Sequence, residues 1–340
     1  MNLQEKFYEV RDLIQRIDFS TLWKNFHPLK FALYDNKECF FNGEYIKKTD
    51  QFIGNTAILY QGEYIAIWNL QEEVDAVILA SKLVHEMFHG LQLMNNESRF
   101  PNEITAIYDY QYSDENLTIK LEENKIIRRL LKCFDYEKLK YLLGLRKYRS
   151  NKYPFEFLYE AKIEQIEGTA NYIEMMALKQ LSLVLFENKI KEMMDSIITP
   201  EILLPVRIIS YDVGALLLYI LKGKNLKIPD DFVDMTFSET LIQGISEVVY
   251  TGELKMEKFI KDYYDEANKT IQEAIFLDNV VEDGDYKILG VNVYNAVFHR
   301  GYIISRFFVM YGDENHPTVQ YGDFVLESKV KGRLSKIYKI

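Results

Sequence analysis

The chain has 340 residues, of which 48% are apolar and 27% charged, with only 16 glycines and 7 prolines. This composition excludes a disordered, collagen-like or low-complexity chain, and the length fits one large two-lobed domain or two modest ones. The net charge of −10 disfavours a surface that follows nucleic-acid phosphates, so we expect no nucleic-acid partner.

Cys39 and Cys133 are too few for a disulfide framework or a cysteine-based metal site, and they predict buried free thiols in a reducing compartment. Residues 1–19 alternate charged and apolar side chains at helical spacing and lack the unbroken apolar stretch of a secretory signal. No stretch of about 18 residues is apolar and free of charge, so no membrane span is expected. These features predict a cytoplasmic protein.

The predicted elements begin with an amphipathic helix over residues 3–26. Two β-hairpins follow, over residues 40–46 and 55–68. Each contains a glycine turn between apolar segments, Asn42-Gly43 in the first and Gln61-Gly62 in the second. The N-terminal part is therefore predicted to form a small antiparallel sheet.

Residues 72–94 are too apolar for a surface helix and predict a buried one. Further helices are predicted over residues 114–133, 136–148, 155–188, 205–223, 256–276 and 289–311. The tail, residues 324–340, is predicted to be a terminal strand or an extended segment. The expected fold class is α+β, mainly α-helical, with the small N-terminal sheet over the buried helix.

The buried helix contains His85-Glu86-Met87-Phe88-His89, an H-E-x-x-H motif. Four helical residues place the two imidazoles on one face, one turn apart, where both can bind one metal ion. Glu86 is placed to hold a water at the metal rather than to bind the metal itself. With five histidines, composition alone would give this motif in roughly one such chain in a hundred. The alternative is a pair of core histidines bonded to backbone carbonyls.

A catalytic zinc site needs a third protein ligand. The metzincin extension is excluded, because Gln92 and Asn95 occupy the positions of its glycine and histidine. The later histidines, His299 and His316, are not well placed by the sequence pattern. We therefore expect a carboxylate as the third ligand.

The predicted helix over residues 155–188 has one polar face beside a buried stripe, and this face includes Glu160, Glu164, Glu167 and Glu174. Glu164 and Glu167 are central and three residues apart, so helix geometry allows either to reach the metal. Glu160 and Glu174 are peripheral. A solvated acidic surface remains the alternative for these two.

Glu167-Gly168-Thr169-Ala170 resembles the E-G-x-A helix of gluzincins such as the aminopeptidase N family, and Tyr211-Asp212-Val213-Gly214 is similar to that family's Y-x-x-G helix. The resemblance implies that Glu167 is the third zinc ligand and that Tyr211 stabilises the oxyanion. Gly168 is expected to let the ligand helix come close to the active helix. Glu164 is expected to hydrogen-bond a ligand histidine, or to be the ligand in place of Glu167. A tyrosine that merely packs between helices is the alternative for Tyr211.

The resemblance is limited to these core motifs. Glu167 follows His89 by 78 residues, a much longer interval than in that family, so residues 114–148 would be an insertion between the ligands. The family's asparagine before the ligand glutamate is Ile166 here. The nearest counterpart of its G-x-M-E-N strand, residues 54–58, contains no acidic residue.

These motifs predict a zinc-dependent metallopeptidase, a protease with one zinc per chain on His85, His89 and Glu167, and with Glu86 as the general base for a zinc-activated water. The substrate is expected to be a peptide or protein. The strand over residues 64–68 is expected to offer an edge on which an extended peptide can lie.

The expected organisation is one catalytic unit with a cleft between two lobes. Residues 1–96 would contain the sheet and the H-E-x-x-H helix, and residues 97–340 the helical lobe with the third ligand and a C-terminal extension. Two other functions remain open: an inactive gluzincin-like binding protein, and a zinc hydrolase of a non-peptide amide or ester. A ferritin-type dinuclear site is disfavoured, because it would need two Glu-x-x-His sequences and the chain has one. The sequence leaves the oligomeric state open.

Overall fold

The computed structural model describes residues 2–226, 228 and 234–340. These residues form a mixed α/β structure with two β-sheets. The chain divides into two compact units: Met1–Phe100, Ala161–Ser196 and Tyr211–Leu241 in the first, and Pro101–Glu160, Ile197–Ser210 and Ile242–Ile340 in the second. Each unit therefore draws on separate stretches of the chain, whereas the sequence predicted two contiguous ranges.

The α-helices are α1 (Leu3–Ile14), α2 (Ala76–Met94), α3 (Glu103–Asp109), α4 (Asp114–Lys132), α5 (Tyr136–Lys152), α6 (Pro154–Ile163), α7 (Thr169–Leu181), α8 (Leu183–Ser196), α9 (Val206–Gly223), α10 (Phe237–Leu241) and α11 (Glu257–Leu277). A π-helical turn, Glu164–Gly168, joins α6 to α7. Short 3₁₀ turns lie at Phe19–Thr21 and Pro200–Leu203. The first helix ends twelve residues earlier than predicted, and the long helix predicted over residues 155–188 is divided into several segments.

The sheet of the first unit has five strands in the order β3-β2-β1-β5-β4, namely β1 (Phe31–Tyr34), β2 (Cys39–Phe41), β3 (Glu44–Ile46), β4 (Thr56–Tyr60) and β5 (Glu63–Asn69). Both predicted hairpins are confirmed. The sheet is not purely antiparallel, because β1 and β5 pair in parallel. The prediction of an edge at residues 64–68 is wrong, since β5 lies between β1 and β4, and the edge strands are β3 and β4.

The sheet of the second unit is antiparallel and has seven strands in the order β10-β9-β6-β12-β11-β8-β7. They are β6 (Val280–Val291), β7 (Val297–His299), β8 (Tyr302–Ser305), β9 (Phe308–Asp313), β10 (His316–Tyr321), β11 (Phe324–Glu327) and β12 (Arg333–Lys339). The prediction of a helix over residues 289–311 is wrong, because this stretch forms strands of the sheet. It is rich in β-branched and aromatic residues, and Gly301 forms a turn with a φ of 83°. The extended tail is confirmed.

Helix α2 is the buried helix of the first unit, as predicted. Asp75 caps its N-terminus, because the carboxylate of Asp75 accepts hydrogen bonds from the backbone N–H groups of residues 77 and 78. The helix packs closely on the sheet, because a Cβ placed on Gly90 would lie 3.7 Å from the Cβ atoms of Ala57 and Tyr64. His85 and Glu86 are 9% and 8% exposed on this helix.

The π-helical turn and α9 touch backbone to backbone at two glycines. A Cβ on Gly168 would lie 2.8 Å from the Cα of Gly214, and a Cβ on Gly214 would lie 2.9 Å from the Cα and carbonyl oxygen of Glu164. The small residue at position 168 was expected to face the active helix, but it faces α9. The glycines of the two family-like motifs therefore meet each other, and their contact fixes α9 against the segment that contains Glu167.

Two further expectations concern the cysteines and membrane spans. Both cysteines are free; Cys39 is buried, but Cys133 is exposed, so the prediction of a buried thiol is wrong for Cys133. In the described part of the chain, none of the helices has the length and apolar character needed to cross a membrane.

Replacement of Gly214 by alanine should destabilise the protein, because the added methyl group would overlap the backbone of the π-helical turn. We expect the free energy of unfolding to fall by about 1–3 kcal/mol, the usual cost of overpacking. Gly223→Ala in the same helix is the control, since a Cβ there meets nothing within 4 Å and alanine favours the helix. Urea unfolding measures both variants, and equal stability of the two would contradict the close contact.

Candidate metal centre

Three side chains converge within the first unit. Nε2 of His89 lies 3.0 Å from Nε2 of His85, and Oε2 of Glu167 lies 3.8 Å from Nε2 of His85 and 3.4 Å from Nε2 of His89. These three residues are a group whose ligand atoms could hold one metal ion. The structure thus brings together the two histidines of the motif and the glutamate that follows 78 residues later.

The separations fit a tetrahedral ion. Zinc bonds of about 2.0–2.1 Å in tetrahedral geometry place neighbouring ligand atoms about 3.3–3.4 Å apart. The three measured separations lie on both sides of this value, at 3.0, 3.4 and 3.8 Å. Three protein ligands would leave the fourth coordination position open, as in catalytic rather than structural zinc sites.

The orientation of His89 is set by Gln92, one turn further along α2. Nδ1 of His89 lies 2.7 Å from Oε1 of Gln92, whose Nε2 donates to the carbonyl oxygen of Ile166 at 3.0 Å and to Oγ1 of Thr169 at 3.1 Å. Because the amide nitrogen is used in this way, the amide oxygen must accept from Nδ1. His89 therefore has its proton on Nδ1, and the lone pair of Nε2 faces the other two ligand atoms.

His85 has a charged partner on its outer side. Its Nδ1 lies 3.3 Å from Oε2 of Glu174, and the other oxygen of Glu174 lies 3.9 Å from Nζ of Lys189. A carboxylate behind a ligating histidine fixes the ring orientation and raises the basicity of the metal-binding nitrogen. Burial would raise the pKa of Glu174, but His85 and Lys189 outweigh it and hold that pKa at about 2.

The cluster stabilises positive charge at its centre. Burial alone would lower the pKa of His85, but the nearby carboxylates of Glu167 and Glu174 outweigh it and raise that pKa to about 10. The pKa of Glu167 is well below its usual value, because His89 and His85 outweigh the effect of burial. A proton or a metal ion can supply the positive charge that these ligand atoms require.

Glu86 differs from the other carboxylates of the cluster. It is 8% exposed, and burial raises the pKa of its carboxyl group, while the charges of His85 and His89 act in the opposite direction. Among the residues that the structure describes, it has no hydrogen bond or ion pair with another side chain. Its carboxylate is therefore available to a water molecule or a substrate.

The remaining predicted site residues lie outside this cluster of ligand atoms. Glu164 is fully buried, and one of its carboxylate oxygens accepts a hydrogen bond from the hydroxyl group of Ser238. Glu174, rather than Glu164, lies beside His85. Tyr211 is half-buried on α9, one turn before Gly214.

The roles of Gln92 and Glu174 beside the two histidines were not predicted from the sequence. Gln92 was noted only because it excludes the metzincin pattern, although its place one turn after His89 was a usable signal. Glu174 follows Glu167 by two turns on the same polar face. A solvated acidic surface, the alternative left open for Glu160 and Glu174, is wrong, because these residues are 1% and 7% exposed.

Comparison with known proteins gives no match for this chain, whether with protein-family models, with curated proteins or with solved structures. The chemistry of the site must therefore be inferred from its own geometry.

Glu167→Gln should remove most of the bound zinc, because an amide is a poor replacement for an anionic ligand. Glu164→Gln is the matched control three residues away and should keep full zinc content, since the side chain of Glu164 contacts Ser238 instead. Elemental analysis of the zinc content of the two purified variants shows whether Glu167 or Glu164 binds the metal. A zinc-free Glu164→Gln variant with zinc retained in Glu167→Gln would show that the ligand is assigned wrongly by one helical turn.

Gln92→Leu should weaken zinc binding about 10- to 100-fold, the usual effect of losing the partner that orients a ligating histidine. The substitution leaves Nδ1 of His89 without its partner and removes one of the two side-chain donors that the structure describes at the carbonyl of Ile166. Gln71→Leu, at an exposed position just before α2, should leave the affinity unchanged. Competition with a fluorescent zinc chelator measures the affinity, and an unchanged value for Gln92→Leu would exclude this role.

Proposed function

We propose that this protein is a zinc-dependent metallohydrolase that cleaves peptide bonds. The observation that supports it most strongly is the convergence of His85, His89 and Glu167 at separations of 3.0 to 3.8 Å, beside the buried carboxylate of Glu86. Two imidazoles and one carboxylate are a donor set that suits zinc and leaves a position for water or substrate.

Some residues of the chain would bind the zinc ion, and Glu86 would transfer a proton. His85 and His89 would bind through Nε2, with Glu174 and Gln92 holding their outer nitrogens. Zinc bound there would polarise the scissile carbonyl and lower the pKa of a coordinated water towards about 7. Glu86 would accept the proton of the attacking water and return it to the leaving amine.

Tyr211 is proposed as the donor that stabilises the oxyanion, on the basis of the motif resemblance. Its place on α9 supports this role, because the contact of Gly214 with the π-helical turn fixes that helix next to the segment with Glu167. A phenol at such a position can donate a hydrogen bond to developing negative charge.

Strand β4 is a better candidate than β5 for binding a peptide, because β5 lies inside the sheet and β4 lies at an edge. As an edge strand, β4 has unpaired backbone groups that an extended chain can use. Its Ala57 packs against α2 at Gly90, the residue that follows His89. A peptide or protein substrate on this edge would pass along the helix that carries the two histidines.

Elemental analysis and turnover of a peptide library, with and without a chelator, test the proposal. We expect one zinc per chain and chelator-sensitive cleavage. Zinc without peptide cleavage would favour a binding protein or a hydrolase of another amide or ester. Iron in place of zinc, or absence of metal, would contradict the proposal.

Glu86→Gln should keep the zinc but lower kcat about 10²- to 10⁴-fold, because the variant lacks the group that accepts the proton. Glu73→Gln is the control, an exposed glutamate shortly before α2. Parallel measurement of zinc content and peptide turnover separates loss of chemistry from loss of metal. Full activity of Glu86→Gln would remove Glu86 from the mechanism.

A further inference from the structure

The second compact unit contains a cavity of about 300 Å³ whose lining is rich in aromatic residues. Six tyrosines line it: Tyr108, Tyr110, Tyr112, Tyr159, Tyr263 and Tyr264. With 25 tyrosines among 340 residues, a random lining of the same size would contain about one. All but Tyr110 are only half-buried, so aromatic surface remains uncovered around this cavity.

The rings hold one another in place. The ring of Tyr110 lies 4.7 Å from that of Tyr112 and 5.8 Å from that of Tyr159, between centroids. The hydroxyl of Tyr110 donates to Glu160 at 2.6 Å, and that of Tyr159 donates to Glu103 at 2.8 Å. Because the rings and hydroxyl groups already hold one another in position, binding of a ligand would cost little side-chain conformational entropy.

The charge of the lining favours a neutral ligand. Arg207 is the charged side chain among the described lining residues, and it forms an ion pair with Glu103. A cationic ligand would find no carboxylate among the lining residues that the structure describes, whereas an anion would have to compete with Glu103 for Arg207.

We propose that this cavity binds a neutral aromatic ring, either of a small molecule such as an indole or a phenol or of an aromatic side chain in a peptide. Aromatic rings gain from edge and offset contacts with other rings at centroid distances of about 4.5–7 Å, which a tyrosine lining offers from several sides. The volume is at the lower end of the roughly 300–1,000 Å³ of ligand pockets, which suits one ring or two fused rings. This binding would not depend on the metal centre.

Titration of the full-length protein with 5-fluoroindole, followed by ¹⁹F NMR, tests the proposal. We expect a dissociation constant on the order of 0.1–1 mM, typical of a ligand of this size. Val293→Phe should weaken binding at least about tenfold, because Val293 lines the cavity in the turn before β7 and the larger ring would fill it. Val319→Phe is the matched control on β10, where the side chain is exposed and outside the lining, and should change binding less than about twofold.

Tyr264→Leu gives a second variant that removes an aromatic wall and should also weaken binding, with circular dichroism to verify that each variant is folded. N-acetyltryptophanamide distinguishes the two possible sources of the aromatic ring. Tighter binding than that of free indole indicates the side chain of a peptide, and weaker binding indicates a small molecule. Three results would overturn the proposal. They are no binding of 5-fluoroindole, unchanged binding in folded Val293→Phe, and equal or better binding of benzyltrimethylammonium, phenylacetate or cyclohexanol.

Discussion

The amide of Gln92 is the interaction on which the candidate metal centre depends. One end orients His89 through Nδ1, and the other end donates to the carbonyl of Ile166, the residue before Glu167. Gln92 is 1% exposed, so water offers little replacement for either bond. A single buried side chain therefore links His89 on α2 to the backbone that positions Glu167.

The π-helical turn explains why such a link is needed. A π turn interrupts the regular helical hydrogen bonds, so nearby carbonyl groups need other partners, and such turns are frequent at functional sites. Here Gln92 supplies a donor to Ile166 on one side, and the contact between Gly168 and Gly214 fixes the turn on the other. Glu167 lies within this turn, supported by α2 and by α9.

Much of the site could be predicted from local sequence signals. The high apolar content of residues 72–94 predicted a buried helix, and the spacing of His85 and His89 placed both rings on one face of it. The glycine after Glu167 indicated a close helix contact, but its partner proved to be α9, because Gly214 removes the opposing side chain. The π turn could not be predicted from the helical periodicity of the sequence. The position of Glu174 behind His85 was therefore not predicted either.

The prediction of a helix over residues 289–311 was wrong for a different reason. The apolar residues of this stretch fit helical spacing, but long-range strand pairing in the seven-stranded sheet determines its structure.

We propose that one zinc ion lies among Nε2 of His85, Nε2 of His89 and Oε2 of Glu167. Anomalous diffraction from crystals of the purified protein, recorded on both sides of the zinc K-edge, tests this most directly. We expect one strong peak about 2.0–2.1 Å from each of these three atoms, with the fourth position open to solvent. A difference peak at other side chains, or none at this cluster in a zinc-loaded crystal, would contradict it.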